Sequence, residues 1–345
     1  MRSTGTIGIF AFDGCSAWIT AGLTELFAIA NVAIANSKRP PRIARFDCGF
    51  VGRSQRLVAG SHGVRFSLQP PRRRYDAIIV PPLWCESRED LERRWLKLKA
   101  DVTALRGLSR RSRIMASACS GAVLLADAGL LANRRATTCW WLIEWFQRRF
   151  PDTDLVPDRL VMIDRGRWTA AAGSAYIHLG LELVRELAGD KVAALTARLM
   201  LVERRRGSQS PFITAESTTR DDSAPDVART IHYLDERAAT SVTIASACRA
   251  LALNERTLTR KFRATLGMSP LAYLQSRRVA RAKELLEDTD LPLERIVEQC
   301  GYEDVSSFRK LFTRHVGMTP REYRSAFGGV VTAPRQRRIS GETPH

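Results

Sequence analysis

Cys119 stands in the run Met115-Ala116-Ser117-Ala118-Cys119-Ser120-Gly121-Ala122, between an apolar, strand-like stretch and one with helical spacing. A small-residue turn of that kind displays its side chain at the carboxyl edge of a sheet and at a helix N-terminus. Backbone N–H groups there lower a thiol pKa and can hold an oxyanion. A cysteine hydrolase also needs a base to form thiolate and an acid to release product. Of the five histidines, His62 falls in a hairpin-like segment and His178 inside a helix, while His232, His315 and His345 lie far along the chain. The seven cysteines are scattered and contain no C-x-x-C pair. Neither a disulfide framework nor a zinc site follows from them, and a reducing compartment fits best.

A second group of candidate side chains sits in an internal repeat. At an offset of 50, Leu258 aligns with Phe308, Phe262 with Phe312, Leu266 with Val316, Gly267-Met268-Ser269-Pro270 with Gly317-Met318-Thr319-Pro320, and Tyr273 with Tyr323. Upstream, at an offset of 49, Ile244, Cys248, Leu251 and Leu253 align with Leu293, Val297, Cys300 and Tyr302. Each copy has a short helix with apolar residues at i, i+4 and i+7, then a second helix burying Leu258 and Phe262, or Phe308 and Phe312. Gly267 and Gly317 are expected to end those second helices in the left-handed conformation, and Ser269-Pro270 and Thr319-Pro320 to cap the next ones. Two helix-turn-helix units joined by a long helix around 271–287 result. The plainer alternative is a helical bundle built by duplication.

The elements that must position these residues form two blocks. Residues 1–205 alternate strand candidates (6–12, 43–51, 75–81, 113–118) with helix candidates (20–35, 88–106, 120–131, 140–149, 174–188, 191–205). A pair of short strands within 154–171 turns at Asp164-Arg165-Gly166-Arg167. This alternation predicts an α/β sandwich with a flavodoxin-like, mostly parallel sheet. Residues 206–225, rich in Gly, Ser, Thr, Pro and Asp, read as a linker; 226–327 are helical throughout; 328–345 bury little and read as a disordered tail. Arg2 leads straight into the first strand, unlike a signal peptide. The longest apolar run, 18–35, contains Glu25 and Asn31 and has helical periodicity, so no membrane partner and a cytoplasmic location are expected.

Lys+Arg total 54 against 36 Asp+Glu, a net charge of +18 that favours nucleic acid or an anionic membrane surface as partner. Because 47 of the 54 are arginine, genome composition could also produce the surplus. Its distribution is more informative. Residues 1–205 carry 32 basic and 19 acidic residues, and 206–345 carry 22 and 17. Within the second block the charge is segregated: 8 basic against 1 acidic over 249–281, 1 against 8 over 284–304, and 5 against 1 over 305–324.

Residues 226–327 closely resemble the DNA-binding domain of the AraC/XylS family of transcriptional regulators. The run from Ile296 through Gly301-Tyr302, Ser307-Phe308, Phe312 and Gly317-Met318-Thr319-Pro320 to Tyr323-Arg324 is that family's signature. Cys248 and Val297 replace the usual alanine, and Ala252 the usual turn glycine. The resemblance implies recognition helices at about 254–264 and 304–314. Helical spacing then puts Arg256, Thr259, Arg260 and Arg263 on one face of the first, and Val305, Ser306, Arg309 and Lys310 on the matching face of the second. Arginine can take guanine bidentately, while threonine, serine and valine approach base edges or thymine methyls. Two such helices would enter successive major grooves about 34 Å apart.

Around the Cys119 elbow, the segments 6–12 and 75–82 and the run Arg135-Ala136-Thr137-Thr138 resemble the PfpI/class I glutamine amidotransferase-like domain. The variety fused to AraC-type domains shares the Ala128-Gly129-Leu130-Leu131 run and the Arg205-Arg206-Gly207-Ser208-Gln209-Ser210 exit. Catalytic relatives carry histidine directly after the nucleophile, where Ser120 stands here, and Cys139 occupies a histidine position of the sensor group. The resemblance therefore implies a non-catalytic effector domain without a cofactor. Its pocket is expected at the carboxyl ends of the strands, lined by Asp13, Gly14, Trp84, Cys119, Cys139 and Trp140. The implied effector is a nitrogen-containing metabolite such as an amino acid or amine, against which tryptophan offers a cation–π face. The whole is expected to be a homodimeric regulator, more usually an activator, acting on double-stranded promoter DNA with RNA polymerase. A cysteine-dependent amidase-like enzyme with a DNA-binding module, and a constitutive DNA binder with a dimerisation-only first domain, are the alternatives.

Overall fold

A computed structural model describes residues 3–37, 40–53, 57–203, 208–210, 225–266 and 268–328. The chain divides into two compact units, 1–209 and 210–345.

The first unit is built on six strands: β1 (Thr4–Phe10), β2 (Arg45–Val51), β3 (Tyr75–Val80), β4 (Ser112–Ala118), β5 (Val161–Asp164) and β6 (Arg167–Ala170). Their order is β2-β1-β3-β4-β6-β5, parallel except for the β5–β6 hairpin. The register pairs Ile7 with Cys48 and Ala77, Ile78 with Met115, and Ser117 with Thr169. Side chains alternate across a strand, so Ile7, Ile9, Ala77 and Ile79 pack on one face while Phe10, Ile78 and Val80 pack on the other. Both faces are buried, which explains why these strands read as unbroken apolar runs.

Helices α1 (Ala17–Ala35) and α4 (Ala175–Ala188) cover one face, and α2 (Lys99–Ser109) and α3 (Gly121–Asp127) the other. By length and composition α1 could cross a membrane. It buries Ile19, Leu23, Leu26, Phe27 and Ala30 in this core. The fold is the flavodoxin-like sandwich expected.

The differences are local. The helix expected over 88–106 is interrupted by a tighter turn at Leu96–Leu98, where the Trp95 indole donates to Asp127 (2.9 Å). The helix expected over 120–131 ends at Asp127, because Gly129 turns left-handed (φ 73°) and the Leu130 N–H returns to the Leu125 carbonyl. That expected over 191–205 ends at Leu199. Arg165 (φ 42°) and Gly166 (φ 76°) make the expected β5–β6 turn, both central residues having the positive φ of a tight hairpin.

In the second unit an entry helix, Pro225–Arg237, precedes the two repeats: Ile244–Leu251 with Glu255–Leu266, and Leu293–Gln299 with Val305–Val316. The connecting helix Pro270–Asp288 serves two cores. Tyr273 and Leu274 join Leu258 and Phe262, while Val279, Ala282, Leu285 and Leu286 join Phe308 and Phe312. Gly317 ends its helix left-handed (φ 84°); Gly267 lies outside the described residues. Ser269 accepts from the Ala272 N–H, and Thr319 forms a capping box with Glu322, each before a proline. Of the expected linker, only 208–210 and Pro225 are described; of the expected tail, only Gly328.

Candidate functional site

In the second unit, each candidate DNA-reading helix is held by a cap and an apolar stripe. Asn254 accepts from the Thr257 N–H, and Asp304 from the Ser306 and Ser307 N–H groups (3.0 and 2.9 Å). A hydrogen bond from the Ser307 hydroxyl foremost, and then those N–H groups, hold the Asp304 carboxyl below its usual range. Leu258 and Phe262, and Phe308 and Phe312, point inward. The opposite faces carry Arg256, Arg260 and Arg263 on the first helix and Ser306, Arg309 and Lys310 on the second, all exposed. Among the described residues, none of these five arginines and lysines beyond the caps has an ion pair within the unit. Thr259 is half-buried, and Val305 packs partly against the second core, so both sit at the inner border of the face.

The joint between the repeats escaped the sequence reading. Arg278, on the connecting helix and nearly buried, donates to the carbonyls of Ala238 (3.0 Å), Thr240 (2.6 Å) and Val242 (2.9 Å), and its guanidinium lies 4.8 Å from the Tyr302 ring. One side chain thereby ties the loop before the first repeat to the turn of the second. Charge-assisted bonds at this burial stabilise by about 1.5–3 kcal/mol each. Gly301, in that turn, is left-handed (φ 73°), and a Cβ there would lie 2.1 Å from the Thr240 carbonyl oxygen. Ala252 occupies the equivalent place in the first repeat and takes the left-handed conformation regardless (φ 53°, ψ 44°).

In the first unit, Cys119 has φ 52° between β4 and α3. That conformation is strained for a non-glycine residue and presents the side chain at the carboxyl edge. Gly121 allows the approach: a Cβ would meet the Val80 and Pro81 carbonyl oxygens at 2.5 and 2.8 Å.

Hydrogen bonds link the loops around this edge. The Trp84 N–H donates to Gly14 (2.9 Å), the Ser120 hydroxyl to the Leu83 carbonyl (3.0 Å), and the Thr138 hydroxyl to the Cys119 carbonyl (3.2 Å). The structure therefore brings Gly14, Trp84, Cys119 and Cys139 to one edge, with Trp140 next along the chain. The Asp13 carboxylate accepts from the Ala59 N–H (2.9 Å) and so shapes the adjoining loop. Trp84 is 40% exposed, its ring edge-on to His62 at 4.8 Å. Trp140 is half-buried and Cys139 fully buried.

Hydrogen bonding from the Cys139 thiol lowers the Cys119 pKa most; the Ser120 and Gly173 N–H groups add to this and burial opposes it. Burial and the same bond raise Cys139 well above the ordinary thiol value, and burial pushes Cys85 up to about 12. Gln209 was missed as a structural residue although its motif was legible. Its amide donates to the carbonyls of Thr138 (2.9 Å) and Pro157 (2.6 Å), clasping the Thr137-Thr138 segment that places Cys139.

Residues 247–326 match a family model described as a helix-turn-helix domain. The HTH-type transcriptional regulator CdhR of Pseudomonas aeruginosa is 29% identical over 224 residues, 65% of this chain and 66% of that protein. The regulator GbdR of the same species is 26% identical over 223 residues, 65% of this chain and 60% of that protein. The chain thus spans just under two thirds of the length of these relatives. A solved THiJ/PfpI family protein from Pseudomonas syringae overlays 73% of this chain and 91% of its own, with 17% identity and a TM-score of 0.48. The matched segment and the doubled fold together make the second unit a helix-turn-helix domain, within a chain similar to transcriptional regulators along 65% of its length.

Proposed function

We propose that this protein is a one-component transcriptional regulator, an activator in its usual mode. Its two recognition helices read adjacent major grooves of promoter DNA, and the α/β unit binds a small effector without catalysis. The observation that carries this reading is the pair of equivalent capped helices, Glu255–Leu266 and Val305–Val316, each presenting exposed basic side chains on one face. Arg256, Arg260, Arg263, Arg309 and Lys310 supply base and phosphate contacts, with Thr259, Val305 and Ser306 beside them. The effector enters at the carboxyl edge beside Trp84, Cys119 and Trp140, and its binding alters how the helices are presented. A nitrogen-containing cation suits the exposed Trp84 ring. The domains function as 1–205 and 226–327, in a cytoplasmic homodimer that engages RNA polymerase.

A thermal-shift screen of amino acids and amines tests this, each hit then being added to promoter-binding and transcription assays. Ligands that stabilise the protein and change promoter affinity or transcription are expected; identical behaviour with every metabolite contradicts an effector-controlled regulator. The lowered Cys119 pKa at a strained elbow favours a second reading, a cysteine hydrolase, which turnover of amide or glyoxal substrates lost in Cys119→Ala would establish. Ser120 stands where catalytic relatives carry the histidine that serves as base, so absence of turnover is expected.

A further inference from the structure

A parallel sheet has two functional edges, and the effector reading uses only the carboxyl one. At the opposite, amino-terminal edge, the segments leading into β3 and β4 meet around an open cavity of about 460 Å³. Five arginines line it: Arg73, Arg74, Arg110, Arg111 and Arg113. All five are exposed. The packing there is firm. The Tyr75 N–H donates to the Arg111 carbonyl (2.8 Å), and Thr6 N–H to Asp76 (2.8 Å). Arg113 pairs with Glu186 (3.0 Å), whereas among the described residues Arg73, Arg74, Arg110 and Arg111 have no ion pair. Asp76, already accepting from the backbone, is the single carboxylate in the lining.

Four unpaired guanidiniums on one face repel one another, and an anion that bridges them removes that repulsion. They are also where the unit with the larger charge surplus, 32 basic against 19 acidic residues over 1–205, concentrates positive charge in a concavity. Small-molecule sites are largely apolar and enclosing. This one is open and lined by solvated arginine arms, a shape suited to an extended chain of phosphates.

We propose that this arginine-lined edge of the α/β unit binds the phosphate backbone of DNA, as a sequence-independent contact additional to the two recognition helices. It extends the regulator reading, yet it stands on separate residues and is tested separately. Each phosphate neutralised contributes about 0.9 to the slope of log affinity against log salt on duplex DNA.

The test uses the full chain and a duplex of arbitrary sequence, followed by fluorescence anisotropy across a salt series. Replacing all four as R73Q/R74Q/R110Q/R111Q should lower the slope by about 2–4 and weaken low-salt binding at least tenfold. The R73K/R74K/R110K/R111K protein should stay near wild type. A glutamine variant with unchanged slope and affinity within twofold overturns the proposal. Arginine labelling of wild type by phenylglyoxal, read by mass spectrometry, needs no variant: duplex DNA should protect Arg73, Arg74, Arg110 and Arg111. Their equal reactivity with and without DNA overturns it. So does protection by inorganic tripolyphosphate alone, which would make the edge a small-anion site. In R260A/R309A, loss of sequence preference with retained labelling protection separates this contact from the helix faces; failure of those helices to select any sequence counts against the regulator reading alone.

Discussion

Replacing Gly301 with alanine, and Ala252 with glycine, should act in opposite directions on the same fold. The two positions are equivalent in the repeats, and both are left-handed, with φ of 73° and 53°. An L-residue in that region costs about 1–2 kcal/mol. At Gly301 the new Cβ also meets the Thr240 carbonyl oxygen at 2.1 Å, its carbon at 2.8 Å and the Arg278 guanidinium at 3.0 Å. Relief requires moving backbone that Arg278 holds, and overpacking of that kind adds about 1–3 kcal/mol. Alanine offsets about 0.5–1 kcal/mol of this through the unfolded state, so Gly301→Ala should destabilise the helical unit by about 1–4 kcal/mol, lowering its midpoint by roughly 5–20 °C. Ala252→Gly removes the left-handed cost but adds about 0.5–1 kcal/mol of unfolded-state entropy, a net gain of up to about 1 kcal/mol. All seven tryptophans precede residue 169. Far-UV circular dichroism without a tryptophan fluorescence change thus reports the helical unit selectively. Gly301→Ala within 1 kcal/mol of wild type, or a clearly destabilised Ala252→Gly, would refute the backbone argument.

Three further outcomes follow from the same geometry. Arg278→Met strands three carbonyls and loosens the joint between repeats, so thermal unfolding should show the helical unit losing about 3 kcal/mol or more. Burial lowers the Lys283 pKa to about 8 from an ordinary 10.5, so the unfolded chain binds more protons between those values and wild-type stability gains as pH rises through that window. The stability of Lys283→Met relative to wild type should accordingly fall by up to about 3 kcal/mol from pH 8 to 10.5 in denaturant titrations, and a constant difference would contradict it. Removing the Cys139 thiol, the largest influence lowering Cys119, should shift the pH midpoint of Cys119 alkylation upward; an unchanged midpoint in Cys139→Ala would exclude the pairing.

What could be read from the chain depended on how local its cause is. The caps at Ser269 and Thr319 and the inward stripe of Leu258, Phe262, Phe308 and Phe312 are set within a turn or two of sequence. They appeared where spacing placed them. The sheet was legible because strands buried on both faces are unbroken apolar runs, and the elbow because strand, cysteine and helix are contiguous. The Arg278 latch spans 36 to 40 residues, and Gln209 reaches Thr138 across 71. Neither leaves a periodic signal. The arginine-lined edge brings together loops around residues 73 and 111, each unremarkable among 47 arginines. The interruption at Leu96–Leu98 was hidden because its apolar spacing continues through a tighter turn.

The central claim is that two helices of one chain read DNA. Duplexes selected from a random pool by the full-length protein test it most directly. Two preferred elements about one helical turn, roughly 34 Å, apart should emerge. Arg260→Ala should relax preference in one element and Arg309→Ala in the other, each costing about 1–3 kcal/mol on the selected site. A pool that shows no enrichment, or selected sites bound equally by both variants and wild type, would contradict the account.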